Sequence, residues 1–487
     1  MEETLEIKKK IKSEIFNKIS EIDEIISITI VGSFIDKNDL SGISDIDVIV
    51  ICKSLNKKQF NIFIDSFKKL DINKCGLKNY NLKINSTFGP LKFDKPNTAV
   101  LHLMIYDIKG HQNHVINSPF TCYDWERSTN FVGLHLKKVF PVGRIQLRDF
   151  KEARRSTENY LADLKNNTIS FREYELVDHK FIQVEKNMPM DPKHKGEFAY
   201  HIVKNLVSNY IKFLSNKNQL ISESEIKTFL LKSFNKERGQ YHSEKFMLIS
   251  KIKEHREHDF PEDTTDWAEE FIKEFKTTFL NKWKNAIKIS FFRHFKTSYN
   301  DGSYLGQGRN PSINFKSILK EKFEEPNVIY SSPLARCIQS ANIIYKDSNI
   351  IHDQRLLEFD YGDAEGLKYE DFIHQYPHII SDWKNGKDPC FPNGENTNKV
   401  FNRLVSFLHD LSKTLNKNHI KRVSIFTHNG ILRCLIGNFF QIERKDWFKI
   451  FIPHGMPIDF LYHDGEYYPN ISKSIFPKIL KSIGLFP

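Results

Sequence analysis

From Ala286 onward the chain alternates short apolar runs with helical stretches, and this rhythm restricts its fold more than any other feature. The runs are AIKISFFRH, NVIYSSP, RVSIFTHNG and PIDFLYHD. Strands separated by helices favour an α/β domain built on a largely parallel sheet. The first run leads straight into Arg293 and His294, and the third into His428. A core strand needs none of these residues. In open α/β sheets, however, ligands bind just beyond the carboxyl ends of the strands.

Two more elements complete the constellation. NVIYSSPLARCIQSA reads as a strand, a turn and a helix that carries Arg336 on its first turns, and RLLEFDYGDAEG places Glu358 in a glycine-punctuated loop. Two guanidiniums can hold phosphoryl oxygens bidentately and neutralise charge that spreads in a transition state. A neutral imidazole can attack phosphorus and form a covalent intermediate. A second histidine can hydrogen-bond the same oxygens. A carboxylic acid can protonate the leaving oxygen and then activate water. Such a site needs no cofactor, because the arginines take the cation's role.

These residues resemble the motifs of the histidine phosphatase superfamily, in its phosphoglycerate-mutase-like branch. The family's Arg-His-Gly opening with its Thr and Asn appears as Arg293, His294, Phe295, Thr297 and Asn300, and Ser-Ser-Pro-Leu-x-Arg as Ser331 to Arg336. LLEFDYGDAEG, PNGEN and THNGILR follow in the family's order. The resemblance implies a three-layer α/β/α domain over 286–487. It implies His294 as the phosphorylated nucleophile, Glu358 as the proton donor, and Arg293, Arg336 and His428 as the phosphate pocket, with Thr297 and Asn300 binding substrate. Phe295 stands where the family has Gly, with the expectation that it shapes the substrate pocket, and Asn429 replaces a Gly beside His428. A phosphatase is expected in preference to a mutase. A mutase must retain its phosphohistidine in a closed site, and nothing in the sequence marks such closure.

The remainder divides into an α+β region, 1–149, and a mostly helical one, 150–285, with apolar spacing near 3.6 in FAYHIVKNLVSNYIKFL and WAEEFIKEFKTTFLNKWK. KNMPMDPKHKGE reads as a loop within the second region, and EHREHD, with His255 and His258, as a hydrated helix face. The first region contains SITIVGSFIDKNDLSGISDIDVIVI. Asp45 and Asp47, one residue apart on a strand, point to one face and can both ligate Mg²⁺. Gly32 and Ser33, at a turn into a helix, offer backbone N–H groups and a hydroxyl to a triphosphate. The stretch resembles the minimal nucleotidyltransferases of the DNA-polymerase-β superfamily. That resemblance implies a third carboxylate from a later strand. TAVLHLMIYD presents His102 mid-strand and Asp107 at its end, and His102 is the preferred occupant.

The formal charge of +11 comes from lysines scattered along the whole chain, which reads as a solvated surface and favours nucleic acid only weakly. The six cysteines form no C-x-x-C pair, as suits reduced thiols. MEETLEIKKKIKSEIF is a charged amphipathic helix and not a signal peptide, and no apolar stretch approaches the ~20 residues of a membrane span. The expectation is a cytoplasmic, multidomain α/β enzyme without a membrane partner. Its substrates would be a phosphorylated small molecule and, with Mg²⁺, a nucleoside triphosphate whose nucleotidyl group passes to a hydroxyl acceptor. Labelling of RNA or protein in a defence-like system, or an inactive transferase domain, are the alternatives.

Overall fold

Valine and isoleucine crowd the segments IISITIV and IDVIVIC, and β-branched side chains suit the pleated, buried surface of a sheet. In the computed structural model of the protein these segments are strands β1 (Ile25–Val31) and β2 (Ile46–Cys52). The structure describes residues 2–17, 24–36, 45–89, 97–254, 259–317, 322–346, 348–417 and 419–484; His255 and His258 fall outside this set. Contacts divide the chain into two units, Met1–Asn281 and Lys282–Ile483.

In the first unit β1 and β2 join β3 (Asn81–Asn85), β4 (Thr98–Asp107) and β5 (Phe131–Gly133) in a sheet ordered β3-β4-β2-β1-β5. Side chains alternate between its faces. Ile28, Ile30, Val48, Val50, Leu101, Leu103 and Ile105 pack on one face with Ile11 and Ile15 of the helix Glu2–Asn17 and with Phe63 and Phe67 of the helix Lys57–Lys68. Asp47 and His102, parallel neighbours in register, therefore point to the opposite face.

The region from 150 to 285 is not purely helical. Strands β6 (Thr168–Val177) and β7 (Lys180–Pro189) form a hairpin, turned by Asp178 and His179, both with positive φ. Two successive residues in that conformation make the primed turn that matches strand twist. The segment read as a loop, KNMPMDPKHKGE, instead ends β7 and opens the helix Pro192–Ser215, whose N-cap Asp191 accepts from the His194 N–H at 2.8 Å. Phe150 lies at the expected boundary of the first region. Its ring meets Phe120 at 5.0 Å and Tyr210 at 5.7 Å, so residues on both sides of 149 share one unit.

The second unit holds β8 (Ile287–Arg293), β9 (Val328–Ser331), β10 (Ile350–His352), β11 (Arg422–Thr427), β12 (Pro457–His463) and β13 (Glu466–Pro469). They form one sheet ordered β10-β9-β11-β8-β12-β13. The first four are mutually parallel, and β12 and β13 run antiparallel at the edge. Ile289, Phe291, Ile425 and Phe426 are buried, and Phe292 stacks on Phe426 at 4.9 Å. The apolar run of β8 is thus the sheet's interior. All six cysteines are free thiols. Among the described residues no helix is long and apolar enough to cross a membrane.

Candidate active site

The parallel strands β8, β9 and β11 end at one edge, and the segments that follow them build a single pocket. Arg293 closes β8, His294 follows it, Arg336 sits in the helix Ala335–Ile344, and His428 caps the helix Asn429–Phe439. The His294 and His428 rings lie 5.3 Å apart. His294 Nδ1 lies 2.6 Å from the Phe295 carbonyl. A carbonyl only accepts, so Nδ1 carries the proton and Nε2 keeps a lone pair. Burial, followed by the charges of Arg336 and Arg293, holds the imidazole well below its ordinary value. His294 is therefore neutral with a free Nε2, the state a nucleophile requires.

Arg336 is fully buried. Its Nε donates to His428 Nδ1 at 3.2 Å, and its two Nη donate to the carbonyls of Arg309 and Gly306 at 3.0 and 2.8 Å. All three acceptors are neutral. His428 must then carry its proton on Nε2, which donates to Ser332 Oγ at 2.8 Å. Arg293 donates Nη1 to the Ile452 carbonyl at 2.9 Å, and burial pulls its guanidinium down to about 10. Both arginines stay cationic without a carboxylate in salt-bridge contact among the described residues. Buried charge of this kind is costly unless an anion joins it, and a phosphate dianion matches two such cations.

Glu358 is buried, and its Oε1 accepts from the Phe359 and Gly430 N–H groups, both at 2.9 Å. No hydrogen bond among the described residues occupies Oε2, which leaves it for proton transfer. A Cβ on Gly430 would stand 2.4 Å from Glu358 Oε1, so the glycine after Asn429 is needed for this approach. Glu395, within the PNGEN stretch, holds Arg403 through two 3.0 Å contacts, and Arg403 donates to the Glu358 carbonyl at 2.8 Å. It is a positioning pair behind Glu358.

The surrounding residues add three observations. Asn300 is exposed and spends its Oδ1 on the Thr297 N–H at 2.6 Å. No hydrogen bond among the described residues ties either residue to the two histidines. The Phe295 ring is buried away from solvent over Gly455, where a Cβ would lie 2.3 Å from it, and fills the interior instead of shaping the pocket. His454, which sequence reasoning missed, donates Nδ1 to the His294 carbonyl at 2.8 Å with its ring 5.5 Å from that of His294. No motif surrounds it, since IPHGMP is an unremarked loop 160 residues away from His294.

The first unit gathers a second cluster. Gly32 has φ +76°, and a Cβ there would stand 2.5 Å from Asp47 Oδ2, so both backbone and space dictate glycine. Ser33 opens a single turn of helix, Ser33–Asp36. Ligand atoms of Asp45, Asp47 and His102 all lie within 4.8 Å of one another. Asp107 is elsewhere: it pairs in register with Cys52, five residues along from Asp47, and caps the helix Ile108–Asn117 by accepting from the Gly110 N–H at 2.6 Å. His102 Nδ1 meets Asp47 Oδ1 at 2.8 Å, and its Nε2 meets the Thr87 carbonyl at 2.7 Å. Both partners accept, so the ring donates from both nitrogens as an imidazolium. Burial alone would lower its pKa, but the hydrogen bond and charge of Asp47, with Asp45 and the Thr87 carbonyl, outweigh burial and raise it. An imidazolium cannot ligate a metal. Asp45 and Asp47 fit Mg²⁺, which prefers oxygen; His102 holds Asp47 instead.

A parallel sheet edge that collects two arginines, two neutral histidines and a carboxyl group defines a phosphate-handling α/β domain. Residues 290–468 match the histidine phosphatase superfamily (branch 1), and this C-terminal region belongs to it. Among curated relatives, 6-phosphofructo-2-kinase/fructose-2,6-bisphosphatase of Caenorhabditis elegans is 30% identical over 174 residues, 34% of this chain and 36% of that protein. Phosphoserine phosphatase 1 of Hydrogenobacter thermophilus is 29% identical over 138 residues, covering 26% and 65% respectively. Phosphoglycerate mutase 1 of Saccharomyces cerevisiae is 25% identical over 214 residues, covering 36% and 86%. The chain thus spans about a third of the length of the nematode relative. Among solved structures, a putative alpha-ribazole-5'-P phosphatase from Escherichia coli aligns with a TM-score of 0.34 at 19% identity, over 38% of this chain and 96% of that one. The family match lies wholly within the second unit.

Proposed function

We propose that the second unit hydrolyses phosphomonoesters through a phosphohistidine on His294. One observation carries this reading: a neutral imidazole with a free Nε2 sits among two guanidiniums that have no carboxylate in salt-bridge contact among the described residues. In the first step Nε2 bonds to phosphorus, the ester P–O bond breaks, and Glu358 gives its proton to the leaving oxygen. Glu358, now a carboxylate, takes a proton from water. That water's oxygen bonds to phosphorus, the P–N bond breaks, and inorganic phosphate leaves with His294 and Glu358 restored. Arg293, Arg336 and His428 hold the phosphoryl oxygens throughout. Among the relatives both phosphatases and mutases occur, and hydrolysis is the reading adopted here.

We also propose that the first unit transfers a nucleotidyl group from a nucleoside triphosphate to a hydroxyl of a small molecule. The supporting observation is the Asp45–Asp47 pair on the sheet face open to a cavity, with Gly32 kept bare for Asp47. Mg²⁺ held by the two carboxylates would neutralise triphosphate charge. The imidazolium of His102 favours the alternative of an inactive transferase, because it supplies a proton where the resemblance implies a third carboxylate.

Comparing wild type, His294→Ala and Asp45→Ala/Asp47→Ala on a metabolite extract with Mg²⁺ and nucleoside triphosphates, read by mass spectrometry, tests both proposals. A nucleotidylated product that needs Asp45 and Asp47, and a phosphomonoester that persists only in His294→Ala, are expected. No His294-dependent loss of any phosphomonoester would refute the first proposal, and no Asp-dependent product the second.

A further inference from the structure

The sheet face that carries Asp47 and His102 opens into a cavity of about 250 Å³, and three arginines distant in sequence help line it. Arg154, Arg155 and Arg172 all contribute, with His114 beside them. None of the three arginines forms a salt bridge among the described residues. Arg172 is 8% exposed, and its guanidinium donates only to neutral acceptors: Gln183 Oε1 at 2.7 Å and His114 Nδ1 at 3.1 Å. Because His114 Nδ1 accepts, its proton sits on Nε2, a buried donor without a hydrogen-bond partner. His114 itself is 6% exposed. Neither of the cavity's remaining carboxylates, Asp163 and Glu185, is in salt-bridge contact with these arginines among the described residues. Glu185 is solvent-exposed, and Asp163, bonded to Ser170 Oγ at 3.1 Å, is pushed up to about 6 by burial.

The wall is held rigidly against the acidic cluster. Thr87 accepts from His102, and the next residue, Phe88, exchanges two backbone hydrogen bonds with Arg172 at 2.7 and 2.9 Å. Gly89 has no room for a side chain, since its Cβ would stand 2.7 Å from that of Phe171. Arg155 keeps a φ of +62°, a conformation that costs a residue with a Cβ and that glycine adopts freely. An arginine buried among neutral acceptors and an unpartnered buried N–H in one small cavity can both be satisfied by an anion.

We propose that Arg154, Arg155, Arg172 and His114 form a subsite that binds a phosphate group of a small molecule. Guanidinium forks suit phosphate oxygens. The cavity volume lies near the ~300 Å³ lower end of small-molecule sites. The phosphate belongs either to the tail of a nucleoside triphosphate or to a phosphorylated acceptor. Only this choice rests on the transferase reading; the subsite does not.

Calorimetric titration of the full chain carrying His294→Ala tests the proposal, with ribose 5-phosphate lacking metal and α,β-methylene ATP with Mg²⁺ as probes. At low salt at least one probe is expected to fill a site in the first unit in addition to the pocket at Arg336. Arg155→Gly relieves backbone strain, so the melting temperature should not fall, while the first-unit site weakens about tenfold or more. The other site keeps its affinity and reports that the fold is intact. Arg172→Gln should weaken the same site. Ribose 5-phosphate binding that survives Asp47→Asn and is lost in Arg155→Gly assigns the subsite to an acceptor phosphate, and stands even if no nucleotidyl transfer is ever found. Metal-dependent binding of the nucleotide that is lost in both variants assigns it to the triphosphate. If neither probe finds a site in the first unit, or if Arg155→Gly leaves that site's affinity unchanged, the proposal falls.

Discussion

His294 and His102 are both almost fully buried, at 2% and 7% exposed, yet the two units hold them in opposite charge states. Burial penalises the charged imidazole in each. Around His294 the neighbours are Arg336 and Arg293, which add to that penalty. Around His102 they are Asp47 and Asp45, which reverse it. The lesson is that desolvation sets only a starting point, and the sign of the nearest charges decides what the histidine can do. One keeps a neutral ring with a free lone pair, the other is a fixed cation that holds a carboxylate.

The largest effect that could break this comparison is the loss of the nucleophile. His294→Ala should lower hydrolysis of para-nitrophenyl phosphate by about four orders of magnitude, and wild type quenched in acid during turnover should hold phosphate in an acid-labile bond that the variant lacks. Retention of activity would assign the attack to another group.

A matched pair of glycines sharpens the contrast next. Gly430 and Gly32 each leave space for a carboxylate oxygen, at 2.4 and 2.5 Å from the Cβ they lack. Gly430→Ala meets the Phe359 ring at 2.4 Å as well as Glu358, and should lower phosphatase kcat about a hundredfold, a far larger effect than any loss of melting temperature. Gly32→Ala meets a positive φ as well as Asp47, and should destabilise the first unit by about 1–3 kcal/mol in urea unfolding. Equal stability losses in both would show that the glycines serve packing alone.

The smallest effect is titration. His102 has a raised pKa in the folded state, so its contribution to stability is full below the unfolded value and lost as pH rises through the folded one. His294 and His428 have depressed values; the unfolded chain binds their protons first, and stability falls as pH drops below the unfolded value. Acidifying from about pH 7.5 to about pH 5.5, across the ordinary histidine range, should therefore add stability through the His102 term and remove it through those of His294 and His428. Comparing the pH dependence of melting in wild type and His102→Gln isolates the first term. Phosphatase kcat/KM should show no acid limb at the ordinary histidine pKa, because His294 remains neutral there.

Much of the phosphate site was legible because its groups sit at strand ends inside contiguous motifs: Arg293 with His294, Ser331 to Arg336, and THNGILR. Register did the same for His102, whose mid-strand place brings it beside Asp47 while Asp107 lands at a helix cap. The hairpin of β6 and β7 was missed although TISFREYELV and KFIQVEKNMP carry strand-like residues, because Asp178-His179 lacks the glycine that usually marks such a turn. His454 and Arg172 were invisible for another reason. Each is defined by a partner 160 or 58 residues away, His294 and His114 respectively, and no local spacing encodes that.

What the sequence determined alone was the inventory: which side chains can carry phosphate chemistry, and which strands deliver them. Their protonation was settled only by the tertiary structure. The Phe295 carbonyl selects the His294 tautomer, Arg336 selects that of His428, and the Thr87 carbonyl with Asp47 makes His102 a cation. Charge on a buried group depends on every neighbour within a few ångströms, and folding gathers those neighbours from across the chain.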